Sequence, residues 1–262
     1  MMKYWRAARL EVSDLRAFPL DFYTGFVSLP IQIAIVCGFW TTTMGISEVK
    51  GFTAGDLAVY FVSIQVLQMA LRPAAVVTWE LWTDISRGNL VPWLMRPLNY
   101  PTYAFMQKLA DGGIRLVTGI ALVELPVLLL THQYSGTRLL LGLLSSLIGF
   151  TILFALHFVI GTLTVYVGNV LTLRDNVINL TALLGGGLLP VAMLPGFVQK
   201  VAGFTPLPST YYTPARILSD PSLSAPAVLE MFRIQLGWMV AFVALALALW
   251  GPAMRSYSPQ GG

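Results

Sequence analysis

The residues able to do chemistry are few and scattered. The chain has two histidines, His132 and His157, and one cysteine, Cys37. Neither histidine has an acidic residue three or four positions away, so the spacing of a metal-ligating pair is missing. A single cysteine excludes an internal disulfide and a cysteine-based metal site. No phosphate loop of the GxxxxGK[ST] kind occurs, so the sequence offers no such means of binding and splitting ATP. No serine or cysteine nucleophile has an evident base beside it. The sequence therefore predicts no catalytic residues, no metal and no cofactor on this chain. What remains are ionisable residues inside apolar stretches, which are costly and often functional. Glu124 precedes Pro126 and could line a pathway, carry a proton or reach the nearby interface. His157 lies deeper, as a pathway residue or as a neutral imidazole hydrogen-bonded between helices. Arg72 precedes Pro73, where it could pair with an acid or extend to the surface.

The elements that position these residues follow from composition. Of 262 residues, 56% are hydrophobic and 11% charged, with a mean hydropathy of +0.72. Soluble domains carry roughly a quarter charged residues, so this stock cannot make a surface that faces water. The net charge of +4 does not point to nucleic acid, because the basic residues form no continuous patch. A spanning helix needs about 20 mostly apolar residues. About six such stretches occur: 22–44, 57–79, 103–130, 139–168, 177–194 and 234–252. They lack the period-two alternation of barrel strands. The expected fold is all-α, a single transmembrane domain over 1–262.

Lysine and arginine set the orientation. With the N-terminus inside, Lys3, Arg6, Arg9, Arg16, Arg87, Arg96, Lys108, Arg115, Arg174 and Arg255 fall on the inner side. Lys50, Arg138, Lys200, Arg216 and Arg233 fall on the outer side. The bias places both termini in the cytoplasm. Residues 1–20 carry charge throughout and read as an interfacial helix rather than a cleavable signal peptide. Trp5 starts its apolar stripe, and Arg6, Arg9 and Arg16 make a basic one facing anionic lipid.

Two connections carry unusual order. Residues 80–101 leave the membrane yet keep Trp82, Ile85, Leu90, Trp93 and Leu94, with a helix stop and turn at Arg87–Asn89. An apolar inner loop needs something to bury against: the protein's own helix feet, the membrane surface or a partner. On the outer side, Gly185, Gly186 and Gly187 should break the fifth span, and residues 195–218 read as short helices dipping into the outer leaflet. Non-helical backbone at that depth must be covered by protein or line water. In the fourth span, Gly142 with Ser146, Ser145 with Gly149 and Thr164 with Gly168 are spaced for close helix packing.

Taken in order, ISRGNLVPWLMRPLNY after the second span and LPGFVQK…FTPLPSTYYTPARIL before the sixth resemble the permease subunits of ABC-2-type transporters. The specific features are Gly88 with Leu90, Arg96-Pro97-Leu98, and Tyr212-x-Pro214-Ala215-Arg216, and the similarity covers nearly the whole chain. The resemblance implies an export permease in a bacterial plasma membrane. It implies two cytoplasmic ATPase subunits that hold ATP and Mg, and a second permease, identical or related. It further implies a coupling helix within 82–99 that docks on an ATPase through Trp82, Ile85, Arg87, Gly88, Leu90, Trp93, Leu94 and Arg96. The interfacial helix would brace that junction. Glu124, His157, Pro195, Phe197, Tyr211 and Tyr212 become pathway or outer-gate candidates. An autonomous secondary transporter or channel would want more buried charge and an internal repeat. A membrane anchor for a cytoplasmic partner would also use the inner loop.

Overall fold

The computed structural model describes residues 30–35, 38, 42, 54–94, 99–130, 132 and 135–258. The interfacial helix expected over 1–20, with Trp5, Arg6, Arg9 and Arg16, lies outside the described residues. So does most of the first expected span, of which residues 30–35 are helical. The described residues form helices and turns without a strand.

The central element is α1, Ala54–Ser86, a helix of 33 residues and so about 50 Å long. A short helix α2, Val91–Leu94, follows a turn. Next comes α3, Tyr100–Gly119, which passes through a π-helical turn, Ile120–Glu124, into α4, Leu125–Leu130. Helix α5, Gly136–Thr162, leads into the short α6, Thr164–Val167. Helix α7, Leu171–Leu184, ends at the glycine run. The segment expected on the outer side holds α8, Gly196–Gly203, and α9, Tyr212–Ser219. The last helix, α10, covers Ala225–Ser256.

Local chemistry explains several of these boundaries. The Asn99 side chain caps α3 by accepting from the Thr102 amide, 3.3 Å away, and Pro101 occupies the first turn, where no amide is needed. Ser224 precedes α10, again with a proline in its first turn. Both Pro73 and Pro252 sit inside helices. Each removes one backbone donor from its ladder.

Among the described residues, four helical stretches are long and apolar enough to cross a membrane: Asp56–Ser86, Tyr100–Leu130, Gly136–Val167 and Ala225–Ser256. They share the load of facing lipid unequally. In the most apolar window of the first, 72% of residues are buried, against 11% in the last. Helix α1 is thus the axis of the bundle, with α3, α5 and α9 packed on it and α10 packed on α5. Its buried side presents Leu57, Phe61, Ile64, Leu67, Leu71, Ala74 and Leu81 to Phe150, Leu153 and Phe158 of α5 in one core. The outward leucines and valines of α10, such as Leu229, Val240 and Leu247, remain exposed. That is the pattern of an apolar solvent outside the protein.

The fifth expected span, 177–194, is not one helix. Helix α7 starts earlier and stops at Leu184, and its 14 residues rise only about 21 Å, short of a hydrocarbon layer of about 30 Å. The small residues of α5 do serve close packing. A β-carbon at Gly149 would lie 2.5 Å from the Thr210 carbonyl oxygen, so the outer segment rests directly on α5 there.

Candidate functional site

Three features converge on α1. At its C-terminal end, Gly88 adopts φ +72°, a left-handed conformation that strains any side chain with a β-carbon. The turn closes through Arg87 N–H to Thr83 O at 3.0 Å and Leu90 N–H to Asp84 O at 3.2 Å. Ile85 and Leu90 are 6% and 0% exposed. They point into the chain's own core, with Tyr100 and the last helix beside them. The Tyr100 hydroxyl donates to Asp84 Oδ2 at 3.1 Å, and its ring stacks on Trp250 at 5.3 Å. The Tyr257 hydroxyl donates to Ile85 O at 3.4 Å.

This corrects part of the sequence reading. Ile85 and Leu90 cannot offer an apolar docking face, because burial inside the bundle has already used them. They fix the turn. What the turn displays is Ser86, Arg87, Asn89 and Pro92, all exposed. Trp82 is half-buried, and half-buried Trp93 lies against Tyr100 and Tyr103, with ring centroids 6.0 and 4.6 Å away. The side chain of Leu94 and the whole of Arg96 lie outside the described residues. Lys108 is not an inner-surface charge either. It is buried, with Nζ 2.5 Å from Glu80 Oε1.

Toward its N-terminal end α1 holds the glycine break. Gly186 has φ +83°, and its carbonyl accepts from the Tyr60 hydroxyl at 2.8 Å. The Gly187 carbonyl accepts from Gln68 Nε2 at 3.0 Å. Two carbonyls freed by the end of α7 are therefore caught by side chains of α1, which meets the demand for covered backbone inside a membrane. The outer segment is pinned again by Gln235 of α10, which is fully buried. Its Nε2 donates to Ser209 O at 2.8 Å and Ser145 O at 3.2 Å, and its Oε1 accepts from Ser145 Oγ at 2.9 Å. In α9, Pro214 and Ala215 are buried, while Arg216 reaches Asp220 at 3.4 Å and lies 5.8 Å from the Tyr212 ring centre. Tyr211 and Tyr212 are half-buried, and burial pushes both phenols up, so they stay protonated donors. Pro195 and Phe197 are exposed, Phe197 by 78%.

Between these ends a cavity of about 550 Å³ runs beside α1. Its wall includes Arg72, Arg115, Arg174, Gln68, His157 and Tyr211. His157 is buried. Thr78 Oγ1 donates to its backbone carbonyl at 2.7 Å and lies 3.0 Å from its Nδ1. A hydroxyl has one proton to give, so Nδ1 is assigned as the donor in that second contact. Glu124 is elsewhere. It is 1% exposed, and its Oε1 accepts from Ser63 Oγ at 2.5 Å.

The structure thus brings Tyr211 and His157 to one cavity and leaves Glu124, Pro195 and Phe197 outside its lining. Sequence reading missed the clustering of Arg72, Arg115 and Arg174, since they come from three helices. It also missed Gln235, Tyr60 and Gln68. The one available signal was a polar side chain in each apolar stretch.

Comparison with curated proteins gives no match. A family model described as ABC-2 family transporter protein matches residues 29–261, which spans every element described above. The chain therefore belongs to the ABC-2 family of membrane transport proteins.

Proposed function

We propose that this chain is the permease subunit of an ATP-driven exporter, coupled through the Gly88 turn to separate cytoplasmic ATPases. Family membership and a multi-pass apolar architecture supply the transport role. Two ATPase subunits carry ATP and Mg, and this chain carries neither. A second permease, identical or related, completes the pathway. The chain crosses a bacterial plasma membrane six times with both termini in the cytoplasm, its first span being 22–44 and its fifth being α7 completed by the non-helical backbone that follows Leu184. The interfacial helix of residues 1–20 braces the inner junction.

One observation carries the coupling assignment. The turn that ends α1 is rigidly seated by Ile85, Leu90, Tyr100 and Tyr257, yet it presents Arg87, Asn89 and Pro92 outward. A seated turn with an exposed polar crest can receive a push and pass it along the helix. Here that helix ends at the glycine break, held through Tyr60 and Gln68. Motion of α1 then reaches the outer segment without an intermediate, as a shear of packed helices. Pro73 lies midway and offers the place for α1 to bend.

The test is purification of the tagged full chain from its host membranes in mild detergent. A nucleotide-hydrolysing cytoplasmic protein should accompany it. The double substitution Arg87→Glu with Asn89→Arg should release that protein while the chain keeps its thermal stability. Recovery of the folded chain without such a partner, or a complex indifferent to both substitutions, overturns the reading.

A further inference from the structure

The cavity beside α1 has a one-sided chemistry that the coupling mechanism does not use. Arg72 comes from α1, Arg115 from α3 and Arg174 from α7, and among the described residues no carboxylate joins them in the wall. A guanidinium keeps its charge at any pH a protein meets. Two of the three have acids nearby. Arg115 Nε is 2.6 Å from Asp111 Oδ1, and Arg174 Nη1 is 3.4 Å from Asp175 Oδ1, whose side chain is 62% exposed. Among the described residues Arg72 forms no ion pair. It stands near the middle of α1, where reaching for either interface takes it furthest.

One buried donor at this site also lacks a partner among the described residues, Arg174 Nε. A nitrogen in such surroundings without a hydrogen bond is costly. Arg72 is the one of the three that lies within an apolar span with no ion pair among the described residues, its side chain exposed beside the cavity, and unmatched charge at that depth is costly. The rest of the wall includes Met69, Leu153 and Ile178, which suit an alkyl chain. A volume of about 550 Å³ falls in the range of small-molecule sites.

From this we infer that the cavity binds the oxyanion head of an amphiphile, a phosphate or carboxylate seated on Arg72 and Arg174 with its tail along the apolar wall. Guanidinium pairs with both groups in two-pronged fashion. The assignment rests on the transport reading only for what the ligand is there for: it is the class of molecule moved, or the lipid that fills the path at rest.

Binding is measured on the full chain in phosphatidylcholine nanodiscs, with thermal stability as readout. The probes are dodecyl phosphate and dodecyl maltoside, below their micellar concentrations, and discs doped with phosphatidylglycerol. Dodecyl phosphate should bind at least about tenfold more tightly than dodecyl maltoside, the worth of one charge-assisted hydrogen bond. Arg72→Gln and Arg174→Gln should each remove about tenfold of that preference, and Arg72→Lys should keep most of it. Arg233→Gln, on the exposed outer part of α10, should change nothing. Stabilisation by phosphatidylglycerol alone places the head in the bilayer's own lipid, and stabilisation by dodecyl phosphate places it on a free amphiphile. Both support the site. Equal affinity for the charged and uncharged probes, or a preference that survives both glutamine substitutions, overturns it. Because no ATPase takes part, failure of the coupling test leaves this result standing, and the reverse also holds.

Discussion

Replacing Gly186 by alanine tests whether the glycine break is a built joint between α1 and the outer segment. Two costs add. The backbone there has φ +83°, and a left-handed conformation costs a residue with a β-carbon about 1–2 kcal/mol. The new carbon would also stand 2.7 Å from Tyr60 Oη and 2.9 Å from Tyr212 Cβ. Both atoms lie near the ring ends and backbone that define the joint, so the Tyr60 hydroxyl must leave the Gly186 carbonyl. That loses a hydrogen bond of about 0.5–1.5 kcal/mol. The sum is about 1.5–3.5 kcal/mol, or roughly 3–14 °C in a chain of this size. Gly203→Ala is the control, because a β-carbon there meets nothing within 4 Å, and its effect should stay within about 0.5 kcal/mol. Thermal unfolding of the full chain in nanodiscs reads both. Tyr60→Phe removes the atom in the way, so Tyr60→Phe with Gly186→Ala should be less harmful than the two separate losses added, by about 1 kcal/mol. If Gly186→Ala matches Gly203→Ala, or if the pair is strictly additive, the glycine run is a passive loop and the reasoning fails.

Other perturbations probe the same frame. Gln235→Leu strips three hydrogen bonds from one buried amide, and should cost about 1–2 kcal/mol while speeding hydrogen exchange over residues 204–210. Glu80→Gln leaves the buried Lys108 ammonium without its carboxylate, which should cost about 1–3 kcal/mol. Adding Lys108→Met to that change should recover most of the loss, as unfolding of the single and double variants would report. Leu90→Asp puts a charge in a fully buried position and should abolish recovery of folded chain, whereas Asn89→Asp should leave the yield unchanged.

What the sequence made legible was whatever lies within one helix or one turn. The stop at Arg87–Asn89, the break at Gly185–Gly187 and the short helices of 196–219 all follow from glycine and proline placement, and the backbone turns where that chemistry puts it. What escaped were contacts between residues far apart. The partner of Glu124 is one of these, since Ser63 lies on another helix. Ile85 and Leu90 looked like docking residues because an apolar side chain in an inner loop has two destinations, a partner or the chain's own core. Only the placement of Tyr100, Trp250 and Tyr257 decides between them. Lys108 was read as a topology signal since Glu80 is distant in sequence. The arginine cavity was invisible for the same reason: each guanidinium alone passes for a side chain seeking the interface, and only their convergence beside α1 gives them a shared purpose. Helix α7 shows the opposite limit, where hydropathy extended a span across a glycine run that the backbone does not cross as a helix.

If the crest of the Gly88 turn faces an ATPase, a photo-reactive side chain placed at Asn89 of the full chain and activated in intact host membranes should reach it. Position 89 should form a covalent adduct with a cytoplasmic nucleotide-hydrolysing subunit, and the same probe at Lys200 should form none. Adducts from Lys200 instead, or a position 89 that captures only lipid, would contradict it.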